Sequence, residues 1–212
     1  MDIVKINFKK PQAEIIQEAL KLLLLGGVVV YPTDTAYGLA VDASNEEAIG
    51  KIFIMKQRIQ KPLPVLVENL KMAKKYVTID IYVESLMKKY WPGAVTFILP
   101  SKNVLPKSLT LGLLTLGVRQ ADQAVAQALI KGLSRPITTT SANISGAGVF
   151  YSGQEVARHF GKFQIKPDLI LDAGDIPEEP PSTIVDLSQK PPKILRTGSI
   201  KVVLPKRKLP KN

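Results

Sequence analysis

Apolar side chains recur at helical spacing in several segments of the chain, and this period predicts helices. In residues 11–25 five of them share one face and precede Gly26, which can end a helix: Ile15, Ile16, Ala19, Leu20 and Leu23. A second helix begins near Ser44, where Glu47 follows at the spacing of a capping box, and Ser152 can cap the last helix. The predicted helices cover residues 11–25, 44–55, 70–76, 81–90, 122–131 and 152–160.

Short runs of β-branched and aromatic residues lie between these helices and predict strands. They cover residues 28–31, 63–67, 94–99, 115–119, 137–140, 169–171, 183–187 and 194–195. Strands and helices alternate without an internal repeat or a linker rich in glycine and serine. This order predicts one α/β domain over residues 1–200, with a twisted mixed β-sheet, flanking helices and a central concave site. A basic C-terminal tail follows over residues 201–212.

The net charge of the chain is more informative than its composition. Of the 212 residues, 45% are hydrophobic and 22% are charged, which is ordinary for a globular protein. The net charge is +11, and it is still +6 without the five cations of the tail. A surplus of this size favours polyanionic partners such as nucleotides, RNA or a membrane surface.

Several functional classes are disfavoured. No apolar run approaches the roughly 20 residues that span a bilayer, and the N-terminus lacks the layout of a signal peptide. The chain has no cysteine, which suits a reducing compartment, and its one histidine excludes a zinc site built on several imidazoles. We therefore expect a cytoplasmic protein with no membrane contact and no metal site of its own, and we interpret His159 as structural.

Polar side chains cluster where the predicted strands end. After residues 28–31, Pro32 stops the ladder, and two threonine hydroxyls, a carboxylate and a phenol follow before Gly38. Open α/β sheets place ligands beyond strand ends. The alternative is a capped turn in which Thr33 and Asp34 bond their own backbone. Further polar clusters lie at residues 115–119, at 138–143, at 182–183 with Arg196, and at 56–61, where there are three cations.

Together these clusters offer hydroxyls, amides and cations, without an evident carboxylate pair or a Ser-His-Asp arrangement. Arginine forks, lysine charges and neutral donors suit phosphates and a carboxylate. Adenylyl transfer with Mg²⁺ needs mainly positioning and charge neutralisation, so it fits this inventory. A Walker A pattern and a dinucleotide-binding fingerprint are both missing from the sequence, so a nucleotide site here would not be a P-loop.

Six motifs stand in order along the chain. They are Pro32–Leu39 (PTDTAYGL), Lys56–Arg58 (KQR), Gly117–Arg119 (GVR), Ser141–Gly146 (SANISG), Pro181–Asp186 (PSTIVD) and Leu195–Gly198 (LRTG). Together they resemble the YrdC-like family of threonylcarbamoyl-AMP synthases, in its short, single-domain form. The resemblance runs from about Pro11 to Ile200.

This resemblance implies a YrdC-like fold and a nucleotidyltransferase, an L-threonylcarbamoyladenylate synthase. Such an enzyme forms threonylcarbamoyl-AMP and pyrophosphate from L-threonine, bicarbonate and ATP, which is used with Mg²⁺. Partner proteins would then pass the threonylcarbamoyl group to a tRNA adenosine. Carried over by motif, the threonine-binding residues are Thr35, Arg119, Ser141 and Ser182. The ATP-binding residues are Arg58, Lys61, Thr115, Asn143, Ser152 and Arg196, and the catalytic cations are Lys56 and Arg58.

The chain departs from the family pattern at several positions. Ile59 stands where proline is common, and the loop at residues 58–62 is one residue short, which affects the place of Lys61. Leu66 occupies the neighbourhood of a threonine-contacting histidine, and residues 120–122 replace a common proline and histidine. Two alternatives stay open: an RNA-binding module of the same fold, which binds RNA tightly and with a steep salt dependence, and a paralogue that acts on a different carbamoyl-type substrate. For the synthase itself we expect weak RNA binding through the basic surface.

Overall fold

A computed structural model describes residues 1–57 and 61–205. Seven helices occur in these residues: α1 (Ala13–Leu24), α2 (Glu46–Met55), α3 (Leu70–Tyr76), α4 (Ile81–Tyr90), α5 (Lys107–Thr110), α6 (Ala124–Leu133) and α7 (Gly153–Phe160). The strands of the same residues are β1 (Asp2–Lys5), β2 (Val29–Tyr31), β3 (Gly38–Ala40), β4 (Val65–Leu66), β5 (Val95–Pro100), β6 (Thr115–Arg119), β7 (Ile137–Thr138), β8 (Thr140–Ser141), β9 (Leu169–Asp172), β10 (Thr183–Asp186) and β11 (Lys193–Arg196).

The strands form two mixed sheets, so the predicted mixed α/β class is confirmed, although one sheet was expected. The first sheet has the order β1-β9-β2-β3-β8, and the second has the order β11-β10-β5-β6-β4-β7. The predicted strand at residues 137–140 belongs to both. Ile137 and Thr138 pair with β4 in the second sheet, whereas Thr140 and Ser141 pair with β3 in the first. The chain therefore crosses from one sheet to the other at Thr139.

All six predicted helices are present, with ends shifted by at most two residues. Each predicted strand is present in part, and three short elements were missed: β1, β3 and α5. The strand β3 is three residues long and directly follows the polar turn after β2. Its pairing with β2 and β8 is what makes it a strand, and a three-residue run carries too little periodicity to show this in the sequence.

Side-chain caps explain where five of these helices begin. Ser152 accepts the backbone N–H of Glu155, and the Glu155 carboxylate returns to Ser152, so α7 has a capping box. The capping box predicted at Ser44 is wrong, because Asn45 is the cap of α2 and the Ser44 hydroxyl donates to Asp42 at 2.6 Å. Four residues accept the N–H three positions later at the starts of α2, α3, α4 and α6: Asn45, Asn69, Asp80 and Gln123.

The helices and both sheets share an apolar core. β2 and β9 are buried along their whole length, as expected for interior strands. α1 packs against α6 so closely that a Cβ added at Gly132 would lie 2.3 Å from Leu20 Cδ1. Glycine inside this helix is therefore explained by packing, despite its low helix propensity. Within residues 1–57 and 61–205, no helix is long and apolar enough to cross a membrane.

Residues 201–205 pack against α4, although they were assigned to the basic tail. Val202 is only 6% exposed. The Val203 N–H donates to the Tyr90 hydroxyl at 2.9 Å, and the Tyr82 hydroxyl donates to the Pro205 carbonyl at 3.1 Å. The packed part of the chain thus extends beyond the boundary predicted at residue 200.

We expect Val202→Ala to lower the free energy of unfolding by about 1–2 kcal/mol, because it removes buried methyl groups. Its neighbour Val203 is 58% exposed and provides a matched control. Val203→Ala should change the free energy by less than about 0.5 kcal/mol. Urea denaturation of both variants measures the difference, and equal effects would contradict the packing of this segment.

Candidate functional site

The second sheet supplies the floor of a deep cleft through strand alternation. Along β5, β6 and β10, every second side chain points to the core: Val95, Phe97, Leu99, Leu116, Val118, Thr183 and Val185. The residues between them line the cleft: Thr96, Ile98, Thr115, Gly117, Arg119, Ile184 and Asp186. The period of two along each strand thus separates an apolar face from a face that carries hydroxyls and charges.

The first sheet and the crossing at Thr139 supply the opposite wall, and the cleft between them measures about 780 Å³. Gly38, Thr139 and Thr140 line this wall. The cleft gathers seven of the residues predicted to form the site: Thr35, Lys61, Thr115, Arg119, Ser141, Ser182 and Arg196. Residues that are far apart in sequence therefore share one concave surface, as the sequence predicted.

The turn after β2 is a capped turn, and it also presents a hydroxyl to the cleft. The Thr33 hydroxyl accepts the N–H groups of Thr35 and Ala36 at 3.0 and 3.1 Å and donates to the Ala36 carbonyl at 2.6 Å. Thr33 is therefore a capping residue, as the alternative for this turn proposed. Asp34 forms no such cap. The Thr35 hydroxyl lies on the cleft wall, 3.1 Å from that of Thr33, so Thr35 is the better placed to meet a ligand.

Asp34 pairs with Arg119 across the two sheets. The Arg119 Nη2 donates to Asp34 Oδ1, and the two side chains are 5% and 15% exposed. Arg119 Nε donates to the Gly93 carbonyl at 3.2 Å, and Asp34 Oδ2 accepts the Asp122 N–H at 3.3 Å. These contacts hold the guanidinium in one orientation. A guanidinium has five N–H donors, so the remaining N–H groups of Arg119 can bind a ligand in the cleft.

A second guanidinium, that of Arg196, lies nearby and is hydrogen-bonded to the Ser182 hydroxyl, which in turn contacts the Thr96 hydroxyl. Arg196 Nε donates to the Ser182 carbonyl at 3.0 Å, and Nη2 donates to the Ser182 hydroxyl at 3.1 Å. That hydroxyl lies 3.0 Å from Thr96 Oγ1. Burial lowers the pKa of Arg196 from its ordinary value, and the charge of Arg119 lowers it further. Two partly desolvated cations that repel one another favour an anion between them.

Lys56 lies beneath the cleft wall and does not line the cleft. Its side chain is buried, and its Nζ donates to the carbonyls of Ser141 and Asn143 at 2.5 and 2.6 Å and to Asn143 Oδ1 at 3.1 Å. These contacts give Lys56 a structural role, and its predicted role in neutralising phosphate charge stays a prediction. In this structure Lys56 holds the segment that follows β8.

Two of the predicted ATP contacts also serve the local structure. Asn143 is buried, and its amide donates to the carbonyls of Ala147 and Gly148 at 2.6 and 3.0 Å. Ser152 is the N-cap of α7 and is absent from the cleft lining. Neither side chain lines the cleft, and the ATP-binding role of both stays a prediction. Arg58 lies outside the described residues.

Several residues of the cleft are not among those predicted from the sequence. Thr96 and Asp186 line it, and the period of two in β5 and β10 would have placed them there. Tyr31 was assigned only to a buried strand. Its hydroxyl has no hydrogen-bond partner among the described residues, and burial raises its pKa to about 12. Gly38 covers this ring, since a Cβ there would lie 3.2 Å from Tyr31 Cε1.

The two mixed sheets define an α/β protein with a cleft between them that is lined by cationic and hydroxyl side chains. The model of the Sua5_yciO_yrdC family, described as "Telomere recombination", matches residues 21–198. The chain belongs to this family, which confirms the resemblance found in its motifs.

Three comparisons place the chain within the family. A threonylcarbamoyl-AMP synthase of Pyrococcus abyssi is 37% identical over 180 residues, which cover 82% of this chain and 51% of that protein. P. abyssi Sua5, solved with L-threonine, matches with a TM-score of 0.87 at 34% identity, covering 93% of this chain and 58% of that one. E. coli YciO matches with a TM-score of 0.85 at 29% identity, covering 93% and 96%. The chain thus spans about half the length of the P. abyssi proteins.

We expect Lys56→Met to lower the free energy of unfolding by about 2–4 kcal/mol, because several buried oxygens lose their donor. Lys51 on α2 is the matched control. It also donates to a carbonyl, that of Gly26 at 2.9 Å, but its side chain is 41% exposed. Lys51→Met should cost less than about 1 kcal/mol. Chemical denaturation measures both changes, and a Lys56→Met variant as stable as the wild type would contradict the structural role of Lys56.

Proposed function

We propose that this protein is an L-threonylcarbamoyladenylate synthase, which forms threonylcarbamoyl-AMP and pyrophosphate from L-threonine, bicarbonate and ATP. The observation that carries the proposal is the convergence of Arg119, Arg196 and four hydroxyl residues of the predicted site on one cleft, namely Thr35, Thr115, Ser141 and Ser182. Family membership and the name of the P. abyssi relative support it. The related Sua5 was solved with L-threonine, which supports threonine as a substrate of this chain as well.

The contacts suggest how the substrates divide the cleft. Arg119 is held by Asp34 with part of its fork available, so it suits the carboxylate of threonine, beside Thr35. Arg196, which is hydrogen-bonded to Ser182, lies next to Arg119. Arg196, Lys61 and Thr115 line the same cleft and suit the phosphates of ATP. Ser141 faces the threonine side by the motif assignment. Arg58 keeps its predicted ATP-binding and catalytic role.

The reaction requires no covalent bond between a substrate and the protein. The threonine nitrogen attacks the carbon of bicarbonate, and water leaves to give a carbamate. A carbamate oxygen then attacks the α-phosphorus of ATP, and pyrophosphate leaves. Each species is anionic, so fixed cations and donors stabilise the charge that moves towards the leaving group. The arginine-rich cleft provides such charges without a side chain that becomes covalently modified.

Mg²⁺ fits this scheme as a companion of ATP. Within residues 1–57 and 61–205, no group of three or more His, Cys, Asp or Glu side chains is placed to hold a metal. A Mg²⁺ ion bound to ATP needs only phosphate oxygens, waters and at most one or two carboxylates. Asp186 lines the cleft and already accepts from the Ser188 hydroxyl at 2.6 Å and from Gln189 Nε2 at 2.7 Å. Among the described residues, Asp186 and Glu179 are the carboxylates of the cleft lining, and either can supply such a ligand.

The product requires partners that accept an activated threonylcarbamoyl group. Transfer to a tRNA adenosine by partner proteins, location in the cytoplasm, and weak RNA binding through the basic surface all stay predictions. RNA binding without catalysis stays the alternative function, and it would show steep salt dependence with no response to threonine.

A second candidate is a related enzyme with a different carbamoyl-type substrate. It is favoured by the departure from the family motif at Gln120–Asp122. Isothermal titration with a panel of amino acids in the presence of ATP and Mg²⁺ separates the two candidates. Tightest binding of L-threonine supports the synthase, and a preference for another ligand supports the paralogue.

We expect the purified protein to release pyrophosphate from ATP only when L-threonine and bicarbonate are both present. Omission of either one, or use of D-threonine, provides the control. A coupled pyrophosphate assay in CO₂-depleted buffer measures this dependence. Folded protein that binds threonine but releases no pyrophosphate with all three substrates would rule out the synthase.

We expect Arg119→Gln to lower kcat/KM for threonine by about 10- to 100-fold, since hydrogen bonds to a charged ligand are lost. This change also leaves Asp34 unpaired. The double variant Asp34→Asn, Arg119→Gln removes that charge and should recover stability without recovering activity. Arg135→Gln is the matched control, because Arg135 pairs with Asp42 at 2.9 Å but is 52% exposed. Recovery of activity in the double variant would contradict a direct role of Arg119.

A further inference from the structure

The segment Ser141–Gly148, named here the 141–148 loop, is anchored on two sides. Lys56 holds it from below through the contacts described above, and the Lys56 carbonyl accepts the Ser145 N–H at 2.9 Å. On the other side, the Ile144 N–H donates to Nε2 of His159 at 3.2 Å. The loop begins with Ser141, which lines the cleft. Both anchors therefore act on the same part of the cleft wall.

The His159 ring is fixed by aromatic neighbours. Its centroid lies 4.8 Å from that of Phe150, 5.0 Å from that of Phe160 and 5.5 Å from that of Phe163. Packing on three rings leaves the imidazole little rotational freedom, so Nε2 stays directed at the loop. Because Nε2 accepts the Ile144 N–H, its lone pair must be free of a proton and the ring proton must lie on Nδ1.

The charged groups that face His159 favour the neutral ring. Burial lowers its pKa from 6.5, and the cations Lys162 and Lys56 lower it further. Glu155 and Arg158 of α7 share a shallow pocket with His159 and with Lys162, which follows the helix. The Glu155 carboxylate accepts the N–H groups of Tyr151 and Ser152 at 3.1 and 3.2 Å, so it is occupied by the capping box. The 141–148 loop itself contains no titratable side chain.

We propose that His159 is a positioning residue of the active site, whose neutral imidazole holds the 141–148 loop and thereby Ser141, and whose protonation releases that anchor. The effect of this anchor on KM for threonine rests on the proposed function. Protonation replaces the Nε2 lone pair with an N–H that points at the Ile144 N–H. Two donors then face each other, and the contact is lost. His159 is the one histidine of the chain, so no second imidazole titrates beside it.

The direction of the pH effect follows from the depressed pKa. Between the pKa of 6.5 and the lower pKa of the folded state, the unfolded chain binds more protons at His159 than the folded chain does. Stability from this group is therefore complete above about pH 6.5 and declines as the pH falls through the folded-state pKa. The loop anchor weakens over the same range.

Nuclear magnetic resonance tests the anchor without substrates. We expect long-range ¹H–¹⁵N correlations of the wild-type protein to show the Nδ1–H tautomer at neutral pH and, from about pH 8 to pH 5, a midpoint below 6.5. The Ile144 amide resonance should shift with the same midpoint. An Nε2–H tautomer, or an Ile144 amide that does not follow the His159 titration, overturns the proposal.

Two variants test the kinetic consequence. His159→Gln keeps an acceptor that does not titrate, whereas His159→Phe keeps the ring packing and removes the acceptor. We expect His159→Gln to keep KM for threonine within about twofold of the wild type and to abolish the rise of KM at acid pH. We expect His159→Phe to raise KM about tenfold at every pH. An unchanged KM in a folded His159→Phe variant overturns the positioning role.

The two readouts separate this proposal from the proposed function. If the protein releases no pyrophosphate, the synthase is ruled out, while the tautomer and the Ile144 amide still decide whether the anchor exists. For such a protein, the Kd of L-threonine measured by titration calorimetry replaces KM. If pyrophosphate is released and the Ile144 amide ignores His159, the positioning role fails and the synthase stands.

Discussion

The ion pair between Arg119 and Asp34 is the contact on which the cleft depends. It joins the last residue of β6 in the second sheet to the turn that follows β2 in the first. Desolvating two charges costs several kcal/mol, which their attraction offsets only when the geometry and additional hydrogen bonds are favourable. Gly93 and Asp122 supply such bonds. The result is a fixed distance between the two walls and a guanidinium that needs no reorganisation when an anion enters.

A second constraint comes from the crossing between the sheets. Ile137 and Thr138 complete the second sheet, and Thr140 and Ser141 complete the first. A chain that leaves one sheet and joins another within three residues cannot satisfy its next polar groups by strand pairing. Lys56 and Asn143 satisfy them instead, through contacts to the backbone that follows β8. This explains why a lysine that resembles a phosphate ligand in sequence is buried under the loop.

Much of this architecture could be predicted from the sequence, because it depends on local periodicity. Helix positions and most strands follow from such patterns, whereas the choice of Thr35, Arg119 and Ser182, which lie together in the cleft, comes from the resemblance of their motifs to the family. The division into two sheets could not be predicted, since it depends on pairings between distant segments, such as β3 with β8 and β4 with β6. The direction of the Lys56 side chain depends on the same pairings. A Lys-x-Arg motif at the end of a helix is compatible with an ammonium in the cleft or beneath it.

The cleft changes character along its length, and this bears on the proposed adenylate product. Arg119, Thr96 and Ser182 form a polar row. Two residues further along β5 lies Ile98, opposite Gly117 of β6 and next to Asp186 of β10. Apolar side chains that remain partly exposed continue this lining: Leu113, Val149 and Leu195. Solvent contact of such groups is unfavourable, so a ligand that covers them gains affinity. A molecule with anionic groups at one end and a flat, weakly polar ring at the other satisfies both regions at once, whereas phosphate alone would satisfy only the first.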